Sequence, residues 1–339
     1  MAGPVVGGED VADMPAVGSS GRKPAGADPT AAAPHRADVR LALLAAVLSG
    51  ALVALQQRLN GELKTSLDDA VLTAVVSFGL GLLAVVVVVA FRPATRRALR
   101  LVRQVPWQQR LGGIGGAFLV VVGAAAAPEI GVALLTVGLV AGQTGGGLMV
   151  DRMGLGPGDS HRLTAPRLLG AALCLVAVGV AVLGKGARAA SPLLLVLIVV
   201  AGLLIAVQQA LNGRVRQRTG DAGVATLVNF VVGLTALALV AAIDLLVGGL
   251  QTDQWPGLDR WYLYLGGPMG AVFVAVAAMV VRSLGVLRLG LAVIAGQLLG
   301  GLLLDIAAPV SAAGVDALTV AGVVLTFVAV LISGRGARS

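Results

Sequence analysis

Gln56-Gln57-Arg58-Leu59-Asn60-Gly61 recurs 152 residues later as Gln208-Gln209-Ala210-Leu211-Asn212-Gly213, and the recurrence continues outward from there. Phe78 and Gly81 match Phe230 and Gly233 at the same offset. Gly112-Gly113 and Gly116 match Gly266-Gly267 and Gly270, and Gly142-Gln143, Gly146-Gly147 and Asp151 match Gly296-Gln297, Gly300-Gly301 and Asp305. Gly170 and Gly322 mark the last helix of each half. The chain is therefore a duplication, and the fold depends on how many helices each copy holds.

The 339 residues are 57% hydrophobic, 12% charged and 3% aromatic. With a mean hydropathy of +0.93, a surface so poor in charge is solvated by lipid rather than water. A membrane-spanning helix needs about 20 largely apolar residues. Ten such stretches are present: Leu41–Leu59, Ala70–Phe91, Leu111–Ala127, Gly131–Val150, Pro166–Gly184, Ser191–Leu211, Ala222–Leu246, Trp261–Val281, Gly285–Leu304 and Ala317–Ile332. Tight turns are expected at Pro128-Glu129 and Arg282-Ser283. The fold class is an all-α membrane protein of ten transmembrane helices, arranged as an inverted five-plus-five repeat. The boundaries are residues 41–185 and 186–334, between cytoplasmic tails at 1–40, rich in Gly, Pro, Ala and Asp and expected to be disordered, and 335–339. The N-terminal tail lacks the apolar core of a secretory signal.

Five helices per copy is an odd number, so the second copy enters the membrane inverted relative to the first. Charge agrees. With the N-terminus cytoplasmic, 20 of the 25 basic residues fall in inner segments, leaving Arg58, Lys64, Lys185, Arg188 and Arg260 outside. The inner loop after the second helix carries six arginines, and its counterpart after the seventh carries Asp253, Asp259 and Arg260. The expected localisation is the cytoplasmic membrane, with both termini cytoplasmic. Trp107, Trp255, Trp261, Tyr262 and Tyr264 suit interfacial anchors. Arg96, Arg100 and Arg103 share one face of Pro93–Val105, as in a helix lying on anionic lipid or in a plain basic loop.

Gln-x-x-x-Asn ending the first helix, Asn-Phe-x-x-Gly in the second and Gly-Gln-x-x-Gly-Gly-x-x-x-Asp in the fourth resemble the YdcZ family (domain of unknown function 606) of the drug/metabolite transporter superfamily. The resemblance occurs once per half, over roughly Leu41 to Ile332. It implies a ten-helix bundle formed by duplication and inversion, with transport as its activity. One departure is Ser77, where the second half has Asn229.

Polar groups within a bilayer are rare and costly. Gln56 and Asn60 share a helical face, as do Gln208 and Asn212. These amides either hydrogen-bond between helices or line a cavity between the halves. Gln143, Asn229 and Gln297 join them as candidates for a substrate path. Gly142 and Gly146, like Gly296 and Gly300, form a small-residue ridge for close helix packing. Asp151 and Asp305 fall at helix ends, as interfacial solvated carboxylates or as a proton or cation site. No acid or base lies at an expected helix centre, which disfavours export of lipophilic cations. Few aromatics remain for cation–π binding.

Other classes fit poorly. Cys174 is the single cysteine, and His35 and His161 lie in separate loops without metal-ligand spacing. The glycine clusters lack the Lys-Ser/Thr of a phosphate loop, and no nucleophile–base constellation is evident. The net charge of +8 lacks the aromatic-interleaved basic face of a nucleic-acid binder. The expected partners are the lipid bilayer and an unknown small molecule, with no cofactor, no metal and no nucleic acid. The functional expectation is alternating-access transport of a small polar or amphiphilic metabolite, and the alternative is a non-transporting membrane scaffold or regulator.

Overall fold

A computed structural model describes residue 3 and residues 36–155, 164–185, 191–249, 255–309 and 315–335. The expected tails lie outside these apart from Gly3, the start of the first helix and Arg335, and so do His35 and His161. Residues Met1–His35 form one unit and Arg36–Ser339 another, and the second unit holds all the helices described.

Every regular element among the described residues is helical. In order they are α1 (Arg36–Leu67), α2 (Ala70–Ala90), α3 (Pro93–Ala98), a 3-10 turn (Leu99–Gln104), α4 (Trp107–Arg110), α5 (Gly113–Ile130) and α6 (Val132–Met153). There follow α7 (Ala165–Lys185), α8 (Pro192–Thr219), α9 (Ala222–Leu246), a second 3-10 segment (Leu258–Leu265), α10 (Gly266–Ala307) and α11 (Ala317–Arg335). Eight of these helices contain spans long and apolar enough to cross a membrane, and Ala317–Ile332 is a shorter apolar helix.

The surface confirms the solvent. Leu83, Leu175, Leu239 and Leu303 are all more than half exposed, on helices that carry almost no charge. Such a face is stable only against hydrocarbon. Trp107, Trp255 and Trp261 are exposed in the segments that link the long helices, where an indole sits at the headgroup level. Arg96, Arg100 and Arg103 are exposed as well, while Thr95 and Val105 are buried, so Pro93–Val105 lies with one side against the bundle. The core falls on α5 and α6, with the run Val132–Gly142 buried without interruption.

At 42 residues, α10 would extend about 63 Å if straight, twice the hydrocarbon thickness. Its contacts with α1 exclude that. Gly266 faces Asn60 and Gly270 faces Gln56, so the first limb runs antiparallel to α1. Gly296 faces Val47 and Gly300 faces Ala51 and Ala54, so the second limb runs parallel to it. The chain turns back between Gly270 and Val293. The turn expected at Arg282-Ser283 falls in this interval, where those side chains lie outside the described residues.

Two expectations need correction. First, α1 and its repeat counterpart α8 continue as helix to Leu67 and Thr219 rather than ending near Leu59 and Leu211. Second, α5 runs through Pro128 and Glu129 to Ile130, and the reversal into α6 is at Gly131. A proline near a helix end removes one backbone donor without breaking the last turn. Gly131 has φ +82, a left-handed value that favours glycine. A Cβ there would also lie 2.5 Å from an Asp305 carboxylate oxygen.

Helix starts are set by duplicated aspartates. Asp69 Oδ1 accepts from the Leu72 N–H at 2.6 Å to cap α2. Asp221 Oδ1 accepts from Gly223 and Val224 at 2.7 and 3.2 Å to cap α9. Both satisfy amides left unpaired by the first helical turn.

Candidate functional site

The principal helix contacts pair elements from opposite halves. α1 packs on α10, α8 on α5 and α6, α2 on α9, and α7 on α11. The site residues lie on these contacts, and they come in matched sets. Asn60 meets Gly266 as Asn212 meets Gly112; Gln56 meets Gly270 as Gln208 meets Gly116. Ser77 meets Gly267 as Asn229 meets Gly113. At the centre Phe78 and Phe230 lie 5.2 Å apart at an interplanar angle of 44°, each over a glycine of the other half, Gly233 and Gly81.

The structure therefore brings Gln56, Asn60, Gln208, Asn212 and Asn229 onto the crossings between opposite halves, in close contact with glycines there, and Gln208 shares Gly116 with Phe78. Gln143 and Gln297 are elsewhere. Their backbone amides lie against Gly202 of α8 and Gly50 of α1 respectively. At those crossings glycines face glycines. A Cβ on Gly142 would lie 2.0 Å from the Val199 carbonyl oxygen, and one on Gly202 would lie 2.2 Å from that of Leu139. Across the other crossing, a Cβ on Gly296 would lie 1.9 Å from the Val47 oxygen and one on Gly50 2.0 Å from that of Val293. Gly146 and Gly300 continue the two ridges, against Leu203 and Ala206 and against Ala51 and Ala54.

Although the contacts are matched, the equivalent amides are not equally buried. Gln56 and Gln208, near the middle, are both half-buried. Away from the middle, Gln57 is 1% exposed and Asn60 fully buried, whereas Gln209 is exposed and Asn212 half-buried. Gln57 packs on Gly123 of α5, and neither its amide nor that of Asn60 has a hydrogen-bond partner among the described residues. Asn212 instead donates to Asn229 Oδ1 at 3.1 Å. Gln297 is buried and Gln143 half-buried.

The helix-end carboxylates follow the same division, which corrects the expectation of free interfacial acids. Asp305 is 5% exposed. It accepts from the Val132 N–H at 3.0 Å and the Ala133 N–H at 2.8 Å, so the end of α10 caps the start of α6. Asp151 pairs with Arg167 of α7. At the α1 end, Arg58 donates to Glu62 at 2.7 Å and to the Ala308 carbonyl at 2.9 Å, and Arg214 of α8 donates to the carbonyls of Gly154 and Leu155. Thus α1 is tied to the second limb of α10, and α8 to the end of α6. A cavity of about 240 Å³ opens beside Gly61 at the Asp305 face, lined among others by Arg58, Glu62, Pro128, Arg260 and Tyr262.

Among the described residues no group of three or more His, Cys, Asp or Glu could hold a metal. Cys174 is buried in α7, beside Thr144 of α6. Sequence reasoning misses Gln57, which reads only as part of the repeated motif, and the glycine partners Gly50 and Gly202. Their signal is present, since Gly50 and Gly202 stand at the 152-residue offset.

A family model described as "Putative inner membrane exporter, YdcZ" matches residues 41–181 and again residues 193–332. The chain belongs to the YdcZ family. Two consecutive matches agree with two fused repeats, and membership makes this YdcZ protein a multi-pass membrane protein of a transporter family. A solved structure bearing only the description "Crystal structure of protein" is similar in fold, with a TM-score of 0.54 at 21% identity. The match covers 90% of this chain and 99% of that one. No protein of curated function matches the chain.

Proposed function

We propose that this YdcZ protein moves a small polar metabolite across the cytoplasmic membrane by alternating access between two inverted five-helix halves. Both termini are cytoplasmic in this reading, which makes the Asp305 face external and the Asp151 face cytoplasmic. Charge supports it: the Asp151 face collects Arg152, Arg167, Arg214, Arg216 and Arg218. Inversion is supported by α1 and α8, whose matched amides meet matched glycines of the opposite half. The opposed limbs of α10 supply the two crossings needed to make ten.

One observation carries the proposal: residues at equivalent positions of the two halves differ in burial. Gln57 is sealed and Gln209 exposed, although the two occupy equivalent positions. Inverted repeats that differ in conformation can exchange conformations, which reverses the side from which the centre is reached. Gln56, Asn60, Gln143, Gln208, Asn212, Asn229 and Gln297 remain the proposed path. Gly142, Gly146, Gly296 and Gly300 are the proposed packing ridges on which the halves turn.

A second reading has its own observation. Gln56, Asn60, Gln208 and Asn212 press on glycine backbone, as amides that only hold a scaffold together would. A thermal-shift screen of the detergent-purified protein against polar metabolites separates the two readings. A ligand of the folded state raises the melting temperature by mass action. Transport predicts a saturable shift that is lost in Gln56→Ala and Gln208→Ala, whereas early melting of both variants with no responsive compound favours the scaffold.

A further inference from the structure

We propose that the cavity beside Gly61 is a recognition site for a small zwitterion of amino-acid type, one carboxylate and one ammonium on a short apolar stem. The inference rests on the transport reading and deepens it by naming the class of substrate.

The cavity has three walls of different chemistry. The first is one face of α1, where Arg58, Glu62 and Thr65 follow at helical spacing. This wall is rich in acceptors. Thr65 Oγ1 donates its proton to the Gly61 carbonyl at 3.0 Å and Ser66 Oγ donates to that of Glu62 at 3.2 Å, so toward anything else each hydroxyl acts as an acceptor. Glu62 meets Arg58 through Oε1 alone, and a carboxylate has about four acceptor positions. The second wall is the 3-10 segment Leu258–Leu265, held on α1 by Leu263 against Leu63 and Leu67. It supplies donors, the Arg260 guanidinium and the Tyr262 hydroxyl. The third is an apolar floor of Ala127 and Pro128, which closes on Gly61.

The charges on these walls are not spent on each other. Arg58 is occupied by Glu62 and the Ala308 carbonyl. Arg260 forms no ion pair among the described residues, and its one side-chain hydrogen bond there, to Ser66 Oγ, is 3.4 Å long. A guanidinium and a carboxylate thus line one cavity without pairing. The planar fork of Arg260 matches a carboxylate, and Glu62 beside a hydroxyl acceptor matches an ammonium. Two positive charges and one negative disfavour a bare cation, while Glu62 disfavours a multiply charged anion. The volume of about 240 Å³ is below the roughly 300–1,000 Å³ of pockets for drug-sized ligands, so the stem is short.

Duplication gives an independent reason to read the pair as functional. The 152- and 154-residue offsets place Arg214 at the equivalent of Glu62 and Pro106 at that of Arg260, so the fold of the repeat requires neither charge. Arg260 also stands on the face that the proposed topology makes external, against the general bias of basic residues. Inward from the floor, one turn from Gly61 on α1 and from Ala127 on α5, Gln57 lies buried against Gly123. Its amide has no partner among the described residues, and it offers the same ligand a second polar step.

The test is a thermal-shift titration of the detergent-purified full chain with L-alanine and L-valine. Each is paired with its amide, which lacks the anion, and with propionate or isovalerate, which lack the ammonium. An amino acid is expected to raise the melting temperature saturably and its two analogues to bind about tenfold more weakly or worse. Arg260→Gln should melt as the parent without ligand and weaken amino-acid binding about tenfold, the loss of one charge-assisted contact. Glu62→Gln should narrow the gap between alanine and propionate; if it fails to fold, Arg260→Gln and the ligand series still decide. No response to either amino acid, or a response unchanged in Arg260→Gln, would overturn the proposal. So would an Arg260-dependent shift given only by phosphatidylethanolamine in mixed micelles, which would make the cavity a seat for a lipid headgroup. Amino-acid binding of this kind in a protein that moves no compound defeats transport alone. Transport of a compound that is indifferent to Arg260→Gln defeats the zwitterion site alone.

Discussion

Adding one methyl group at Gly142 should separate two helices, while adding it three residues away should not. Gly142 and Gly202 face each other across the α6–α8 crossing, with no side chain between the backbones. A Cβ on Gly142 would lie 2.0 Å from the Val199 carbonyl oxygen, against ordinary contact from 3.4 Å. The obstacle is backbone within a helix, so no side-chain rotation relieves it, and the helices must part by roughly 1.4 Å. Overpacking of this kind costs about 1–3 kcal/mol, to which the dispersion lost along the parted crossing adds. Gly145 and Gly147, on the same helix, have nothing within 4 Å of a Cβ. Alanine at either should be neutral or stabilising by about 0.5–1 kcal/mol, because glycine is the poorer helix former. The prediction is thus a difference in sign along one helix. Thermal melts of the purified protein, followed by size-exclusion chromatography in one detergent, should place Gly142→Ala several degrees below wild type and Gly145→Ala at or above it. Gly296→Ala should fall with Gly142→Ala, since its Cβ would lie 1.9 Å from the Val47 oxygen. Equal melting temperatures for Gly142→Ala and Gly145→Ala would refute the view that backbone contact sets the crossing.

Gln57→Leu removes a fully buried amide with no partner, so the protein should melt higher by the equivalent of about 1–3 kcal/mol. Under the proposed alternating access, transport of any identified substrate should slow, because the state that buries residue 57 is then favoured; an unchanged or lower melting temperature would contradict the burial. Asp221→Ala deletes the cap of α9 and the acceptor for Thr95 Oγ1 at 3.0 Å, for a loss of about 1–2 kcal/mol. Asp69→Ala, with one backbone bond at stake, should lose about 1 kcal/mol, and both are checked by thermal melts. Cys174 is 0% exposed, so a maleimide should label it only after denaturation, and prompt labelling of the native protein would place α7 wrongly.

Most of the architecture is legible in the sequence because duplication leaves residues in register. The 152- and 154-residue offsets locate the amides, the glycine ridges and the paired aspartates before any coordinates. Lipid-facing apolar runs then mark the helices. Turns are less legible. Pro128 reads like the end of α5, but a proline in the last turn removes one donor and lets the helix continue to Gly131. Likewise Glu62 and Lys64 suggest a loop where α1 persists to Leu67, since charged residues are tolerated on a helix that leaves the hydrocarbon.

What the sequence could not contain is the difference between the two copies. Gln57 and Gln209 have the same chemistry and the same place in a repeated motif, and no local rule makes one sealed and the other exposed. That inequality belongs to the conformation. A symmetric pair of repeats packed identically would form a closed pore lining or a closed plug, open to neither side. Asymmetric burial around a nearly symmetric centre, with Gln56 and Gln208 equally half-buried, is what the alternating-access proposal requires of one end state. The few unduplicated polar residues become informative for the same reason. Arg167, Arg58 and the Ser77–Asn229 difference break a symmetry that the fold alone would keep, and under the proposed alternating access they would bias one end state over the other. Conservative exchange at these positions should alter which face is open more than it alters stability, whereas exchange at the duplicated glycines should do the reverse.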